Sequence, residues 1–145
     1  MLNTIVTESM KTLLLIDDDD IFEFITRELI NDHHPETDVV SFRSGLDGLA
    51  FLRNLMLSGN PMPDVLFLDI QMPEITGLEV LDQLCCQFPK EVVKNMKVYI
   101  LTSSLDQSDR DKTASCSLVH GFFHKPLNAE QLMEVIRNTP SMPLV

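Results

Sequence analysis

Four places in the sequence put a charged or hydroxyl side chain directly after a short apolar run. Asp17 and Asp18 follow TLLLI, Asp69 follows VLFL, Thr102 follows KVYIL, and Lys125 follows GFFH. If the apolar runs are parallel strands of one sheet, their carboxyl ends meet at one edge of that sheet. The sequence therefore predicts one polar site built from residues that are far apart in the chain.

The side chains of this predicted site indicate phosphate chemistry. Three carboxylates meeting at one edge repel one another, and a bound divalent cation relieves that repulsion. Oxygen ligands without His or Cys favour Mg²⁺ (or Mn²⁺). A hydroxyl and an ammonium group facing the same cluster favour an anion, most simply a phosphoryl group.

The elements that must position these residues follow an alternating pattern. Short apolar runs predict buried strands, and apolar residues at spacings of three and four predict helices between them. Five strands alternating with five helices predict an α/β fold, a doubly wound parallel sheet with helices on both faces. The predicted strands are 12–17, 38–42, 64–68, 97–101 and 121–123, and the predicted helices are 19–32, 46–57, 77–88, 105–119 and 129–138.

Several helix starts carry capping signals. Ser104 with Gln107, and Asn128 with Gln131, have the spacing of a capping box. For Asp19 and Asp20 the preferred interpretation is a solvated acidic start of the first helix, where the helix dipole favours negative charge.

The composition restricts the class of protein. A chain of 145 residues is long enough for one domain with an ordinary core. Its net charge of −11 disfavours binding to nucleic acid or anionic membranes. There is no apolar run of transmembrane length, and residues 1–11 do not resemble a signal peptide. Cys85, Cys86 and Cys116 are odd in number and lack metal-type spacing, so we expect small core fillers in a reducing cytoplasm rather than disulfides.

Four motifs in order resemble the receiver domain of two-component response regulators. They are LLLIDDDD, LFLDIQMP followed by Gly77, ILTSS and FFHKP, and the resemblance covers about residues 10–138. The resemblance implies a CheY-like, flavodoxin-like fold: a five-stranded parallel sheet in the order 2-1-3-4-5, flanked by five helices.

The resemblance also implies roles for the acidic residues. Asp69 would be the phospho-acceptor, taking a phosphoryl group from a histidine kinase or a phosphotransfer protein. Asp17, Asp18 and Asp69, with the backbone carbonyl of Gln71, would hold Mg²⁺. Such a domain is a signalling module that catalyses only its own phosphorylation and dephosphorylation.

Three further positions match the switch and the phosphoryl partner of that family. Thr102 would bind a phosphoryl oxygen and reorient, and Phe122 would move inward with it, although Phe122 is also compatible with a plain core residue. Lys125 would pair with the phosphoryl charge, and the family implies a cis peptide between Lys125 and Pro126.

Residues 10–138 would form the receiver domain, with 1–9 and 139–145 as short extensions and no output domain. We therefore expect a stand-alone, cytoplasmic receiver, either a monomer or a weak phosphorylation-dependent dimer. Its signal would pass to a target protein through the face of the fourth predicted helix, the fifth strand and the last helix.

Two alternatives belong to other classes. DDDDI loosely matches the opening motif of haloacid-dehalogenase-like phosphatases, with Asp17 as nucleophile, but a second acidic pair late in the sequence is missing and the chain is short. A pseudo-receiver that never takes a phosphoryl group is the other alternative, and the complete set of five site residues weighs against it. The connection SCSLVHGFF and the long segment PKEVVKNM depart from the commonest receiver pattern.

Overall fold

The structure, a computed structural model, describes residues 11–102, 107–114 and 116–138. Its strands are β1 (Thr12–Ile16), β2 (Asp38–Phe42), β3 (Val65–Asp69), β4 (Lys97–Thr102) and β5 (Val119–His124). Its helices are α1 (Asp20–His33), α2 (Gly45–Leu57), α3 (Gly77–Gln87), α4 (Lys90–Val93), α5 (Gln107–Ala114) and α6 (Ala129–Arg137).

The five strands form one parallel sheet in the order β2-β1-β3-β4-β5. This confirms the predicted strand order and the predicted fold class. The order reverses direction between β1 and β3, and in open α/β sheets the carboxyl ends of the strands at such a point form a ligand crevice. β1 and β3, which end beside Asp17 and on Asp69, are therefore where a site is expected.

The sheet separates two hydrophobic cores because successive side chains of a strand point to opposite faces. In β1, Leu14 and Ile16 belong to the core beneath α2 and α3, whereas Leu13 and Leu15 belong to the core beneath α1 and α6. In β5, Phe122 contacts the first core and Phe123 contacts the second. Both faces being buried explains why the strand sequences are almost continuously apolar.

Helix caps account for several boundaries. Asp19 is the N-cap of α1, where its carboxylate accepts hydrogen bonds from the backbone N–H groups of Ile21 and Phe22, as predicted for a helix start. Asn128 and Gln131 form the predicted capping box at α6. The expected box at Ser104 lies outside the described residues.

The structure differs from the sequence prediction in the second half of the chain. The segment before β4 contains a sixth, one-turn helix, α4. The predicted helix 105–119 was too long at its carboxyl end, because the carbonyl of Leu118 accepts a hydrogen bond from the N–H of Val98 and Val119 already belongs to β5. The pairing of these apolar residues with the sheet outweighs their fit to a helical pattern.

The expectation for the cysteines was wrong. Cys85 in α3 and Cys116 in the connection before β5 form a disulfide, and Cys86 is free and exposed. The two paired residues are 31 positions apart, and only the packing of α3 beside α5 brings them together. Within the described ranges, no helix has the length and apolar character needed to cross a membrane.

Candidate functional site

The predicted site residues meet at the carboxyl edge of the sheet. Asp17 directly follows β1, Asp69 and Thr102 are the last residues of β3 and β4, and Lys125 directly follows β5. Asp17 and Asp69 are 2% and 3% exposed, and Thr102 is buried as well. The site is therefore a set of buried polar groups at the edge of an apolar sheet.

Three carboxylates form the acidic part of the site. Each of Asp17, Asp18 and Asp69 offers an oxygen, and these atoms lie within 4.8 Å of one another. The side chain of Asp17 is fixed, because its Oδ1 accepts a hydrogen bond from the backbone N–H of Asp19 at 2.8 Å. Asp18 is exposed and forms the solvent side of the cluster.

The cation of the site is Lys125. Its Nζ lies 3.0 Å from Oδ2 of Asp17 and 3.5 Å from Oδ2 of Asp69, and only 14% of its side chain is exposed. Burial alone would lower the pKa of Lys125, but the hydrogen bond and charge of Asp17, with the charges of Asp69 and Asp19, outweigh burial and raise it. Lys125 is therefore charged at neutral pH and holds two carboxylates together.

Asp69 has a perturbed carboxyl group. Burial and then the nearby charge of Asp17 raise the pKa of Asp69 to about 6, although the N–H of Gln71 and the charge of Lys125 act in the opposite direction. The Gln71 N–H donates to Oδ1 of Asp69 at 3.1 Å and fixes the carboxylate plane. Oδ2 faces Lys125. A buried carboxylate destabilised by its neighbours is well placed to bind a cation or to form a covalent bond to an electrophile.

The residues present fit a divalent metal ion. All three clustered groups are carboxylates, the combination that hard cations such as Mg²⁺ prefer, and Asp18 leaves the cluster open to water. The exposed loop residue Gln71 follows Asp69 closely enough for its backbone to belong to the same edge.

Thr102 and Lys125 are joined through the backbone. The N–H of Lys125 donates to the carbonyl of Thr102 at 2.8 Å, and Thr102 pairs with His124 in the register of β4 and β5. The peptide bond between Lys125 and Pro126 is cis. Phe122 is half-buried, and the guanidinium carbon of Arg110 in α5 lies 5.2 Å from the centre of its ring.

Two residues that border the site were given no role in it from the sequence, although Gly77 was named as part of a family motif. Phe22 of α1 lies under the lysine, with Lys125 Nζ 5.2 Å from its ring centre, a cation–π distance. Gly77 opens α3 so close to β3 that an added Cβ would overlap the carbonyl oxygen of Asp69. The helical spacing of Phe22 indicated only a core residue. The number of residues between Asp69 and Gly77 does not show that the two lie in contact.

Comparison with known proteins agrees with this fold. The response regulator receiver domain family matches residues 13–137. The polar-differentiation response regulator DivK of Brucella ovis is 26% identical over 128 residues, which cover 88% of this chain and 94% of that relative. A solved two-component response regulator from Cytophaga hutchinsonii is 31% identical with a TM-score of 0.79, and the match covers 90% of this chain and 97% of that one.

The Mn²⁺-bound form of the response regulator Rcp1 shares the fold at 24% identity, with a TM-score of 0.69 and coverage of 88% of this chain and 89% of that one. The fold, the site and the family match together define the class: a signalling domain of two-component systems. The chain belongs to the response regulator receiver domain family. This result decides against the phosphatase alternative.

Proposed function

We propose that the protein is a phosphorylation switch in which Asp69 accepts a phosphoryl group from a phosphohistidine of a sensor kinase or phosphotransfer protein. The observation that carries the proposal is the buried Asp69 carboxylate, held against Asp17 and within 3.5 Å of Lys125 Nζ. With the pKa of Asp69 near 6, the group is mostly ionised at neutral pH and available as a nucleophile.

In the transfer, an oxygen of Asp69 attacks the phosphorus, the phosphorus–nitrogen bond of the donor breaks, and an acyl phosphate forms. The N–H of Gln71 orients the carboxylate through Oδ1. Lys125 offsets the negative charge of the phosphoryl oxygens from its position beside Asp69, and the Thr102 hydroxyl donates to one of them. A divalent cation held by Asp17, Asp18, Asp69 and the Gln71 carbonyl would supply further positive charge at the phosphoryl oxygens.

The output of the switch would be a change in protein contacts. Phosphorylation adds charge at Asp69, and movement of Thr102 and Phe122 would transmit that change to the face formed by α5, β5 and α6. The half-buried ring of Phe122 in β5 contacts both the hydrophobic core and the guanidinium of Arg110 in α5, which connects the sheet to a surface helix. We propose a single-domain, cytoplasmic regulator that acts on a target protein, as a monomer or a weak phosphorylation-dependent dimer.

The phosphodonor would approach along α1. Ile21, Phe24 and Ile25 form an apolar surface on this helix with 72%, 64% and 41% of their areas exposed. The helix begins at Asp20, next to the acidic cluster, so a protein seated on this surface can bring a histidine to Asp69. Exposed apolar surfaces of this kind are typical of protein contacts.

The test is incubation with acetyl phosphate and Mg²⁺, followed by intact-mass measurement. We expect one phosphoryl group on the wild type, none on Asp69→Asn, and normal labelling of Asp38→Asn, whose exposed aspartate starts β2 at the opposite edge of the sheet. Labelling that survives in Asp69→Asn but disappears in Asp17→Asn would identify Asp17 as the acceptor and contradict the proposal.

A further inference from the structure

The disulfide between Cys85 and Cys116 joins α3 to the connection between α5 and β5, two elements of the face through which the proposed switch acts. Cys85 lies near the carboxyl end of α3, and Cys116 lies between α5 and β5. Their Cα atoms are 7.0 Å apart, slightly above the usual range for disulfides, so this backbone also accommodates two separate thiols. The same fold is therefore compatible with an oxidised and a reduced form.

The pair is accessible from the surface. Cys85 is exposed, Cys116 is half-buried, and two open cavities of about 330 and 280 Å³ lie beside them. The charged residues lining these cavities are Lys112 and Asp82 in the first and Lys90 and Lys94 in the second. Three lysines and one aspartate, in a chain of net charge −11, favour a small anionic reagent such as glutathione disulfide.

The bond is placed where it can affect the phosphorylation site. The chain runs from Thr102 at the end of β4 through α5 and Cys116 to β5 and Lys125. The turn at Cys116 is braced on both sides, since its N–H donates to Thr113 and its carbonyl accepts from Val119. A covalent bond from this turn to α3 limits how far α5 can move relative to the sheet.

We propose that Cys85 and Cys116 are a reversible redox pair whose oxidation holds α5 against α3 and weakens the response of the domain to phosphorylation. This proposal rests on the switch function proposed above. Disulfides in reducing compartments are rare and are usually transient or redox-sensing, which favours regulation over a structural role in a cytoplasmic signalling protein. Formation of the bond favours the arrangement described here, in which α3 lies beside the turn that carries Cys116.

The chemistry is thiol–disulfide exchange with a small disulfide as oxidant. The exposed Cys85 thiolate attacks one sulfur of the reagent, whose S–S bond breaks, giving a mixed disulfide and one small thiolate. The Cys116 thiolate then attacks Cys85 Sγ and releases the second small thiolate. The protein loses two electrons and two protons, and the reagent is reduced to two thiols. Cys86, whose S–H contacts Asp82 Oδ1 at 3.7 Å, remains a thiol.

The first measurement counts free thiols by alkylation and mass spectrometry in glutathione buffers of increasing oxidised fraction. We expect the wild type to change from three alkylated cysteines to one in a single transition, with peptide mapping placing the bond between Cys85 and Cys116. Cys86→Ser should keep the transition, and Cys85→Ser and Cys116→Ser should each abolish it. A wild type that forms no internal disulfide, or that pairs Cys86, overturns the proposal.

The second measurement titrates beryllofluoride, a phosphoryl mimic, with Mg²⁺ into the oxidised and reduced forms. We expect binding to the oxidised wild type to be weaker by about 5-fold or more, a modest allosteric coupling, and Cys116→Ser to bind equally under both conditions. Equal binding by both wild-type forms overturns the redox proposal alone. If neither form binds beryllofluoride and neither is labelled by acetyl phosphate, the proposed switch function fails, and the redox control of it fails with it.

Discussion

At the scale of single residues, Asp69 is a group whose ionisation costs folding free energy. Its pKa is raised from 3.8 to about 6 in the folded protein, by burial first and by Asp17 second. Between these two values the folded state binds more protons than the unfolded state, so this residue lowers stability as the pH rises through that window. Above about pH 6 the loss of folding free energy reaches its full value. The pKa shift of Asp69 corresponds to a loss of about 3 kcal/mol as an upper value.

Replacing this carboxyl group by an amide should therefore stabilise the metal-free protein in a pH-dependent way. Asp69→Asn and the wild type should unfold at similar denaturant concentrations near pH 4, whereas above about pH 6 the variant should be more stable. Urea unfolding in EDTA across this range measures the difference, with Asp38→Asn as the control. A stability difference that does not change with pH would contradict the proposed electrostatic cause.

The sequence predicted the members of the site better than their contacts. Residues following buried strands could be assigned to one edge, because parallel strands align their carboxyl ends. Phe22 was not assigned to the site, since its apolar spacing on α1 indicates a core residue equally well. The contact of Gly77 with the Asp69 carbonyl depends on how closely α3 approaches β3, and the local sequence does not predict that distance.

At the scale of elements, the strands were predictable and the connections between α3 and β5 were not. Buried strands have continuous apolar runs bounded by polar residues, so their positions follow from local sequence. The polar sequence of α5 gives little helical periodicity, and the apolar residues Leu118 and Val119 belong to the sheet rather than to the helix. The Cys85–Cys116 pairing depends on helix packing, which sequence separation does not indicate.

Helix α1 supports a prediction about partner recognition. Phe24→Ala should slow phosphotransfer from a protein donor by roughly 5- to 30-fold, since loss of an aromatic contact residue commonly costs about 1–2 kcal/mol at an interface. Labelling by acetyl phosphate should not change, because the side chain is 64% exposed and a small phosphodonor does not need the α1 surface to reach Asp69. The rate of transfer from the kinase that labels the wild type is the measurement.

Leu57→Ala provides the matched control. Leu57 is 79% exposed and ends α2, a helix that begins just after β2 and so finishes at the opposite edge of the sheet. Equal slowing by both substitutions would mean that α1 is not the docking surface.

At the scale of the whole molecule, metal binding should increase the free energy of unfolding. If the dissociation constant is about 1 mM, about 10 mM Mg²⁺ should add roughly 1.4 kcal/mol by mass action. For a chain of this length the melting temperature should rise by about 3–6 °C. Thermal melts with EDTA and with Mg²⁺ test this, and Asp17→Asn should lose the increase while Asp38→Asn keeps it. An increase that persists in Asp17→Asn would place the metal elsewhere.

The division of the core by the sheet has a consequence for how signals combine. The proposed donor surface on α1 lies over one core, and the cysteine pair of α3 lies over the other, with consecutive residues Phe123 and Phe122 of one strand contacting them separately. Because the sheet lies between the α1 surface and the cysteine pair, the free-energy effects of a substitution on one side and a substitution on the other should add. We therefore expect that a substitution on α1 changes donor docking without changing the redox transition of the cysteine pair, although both proposed inputs act on the phosphorylation site at the carboxyl edge of the sheet.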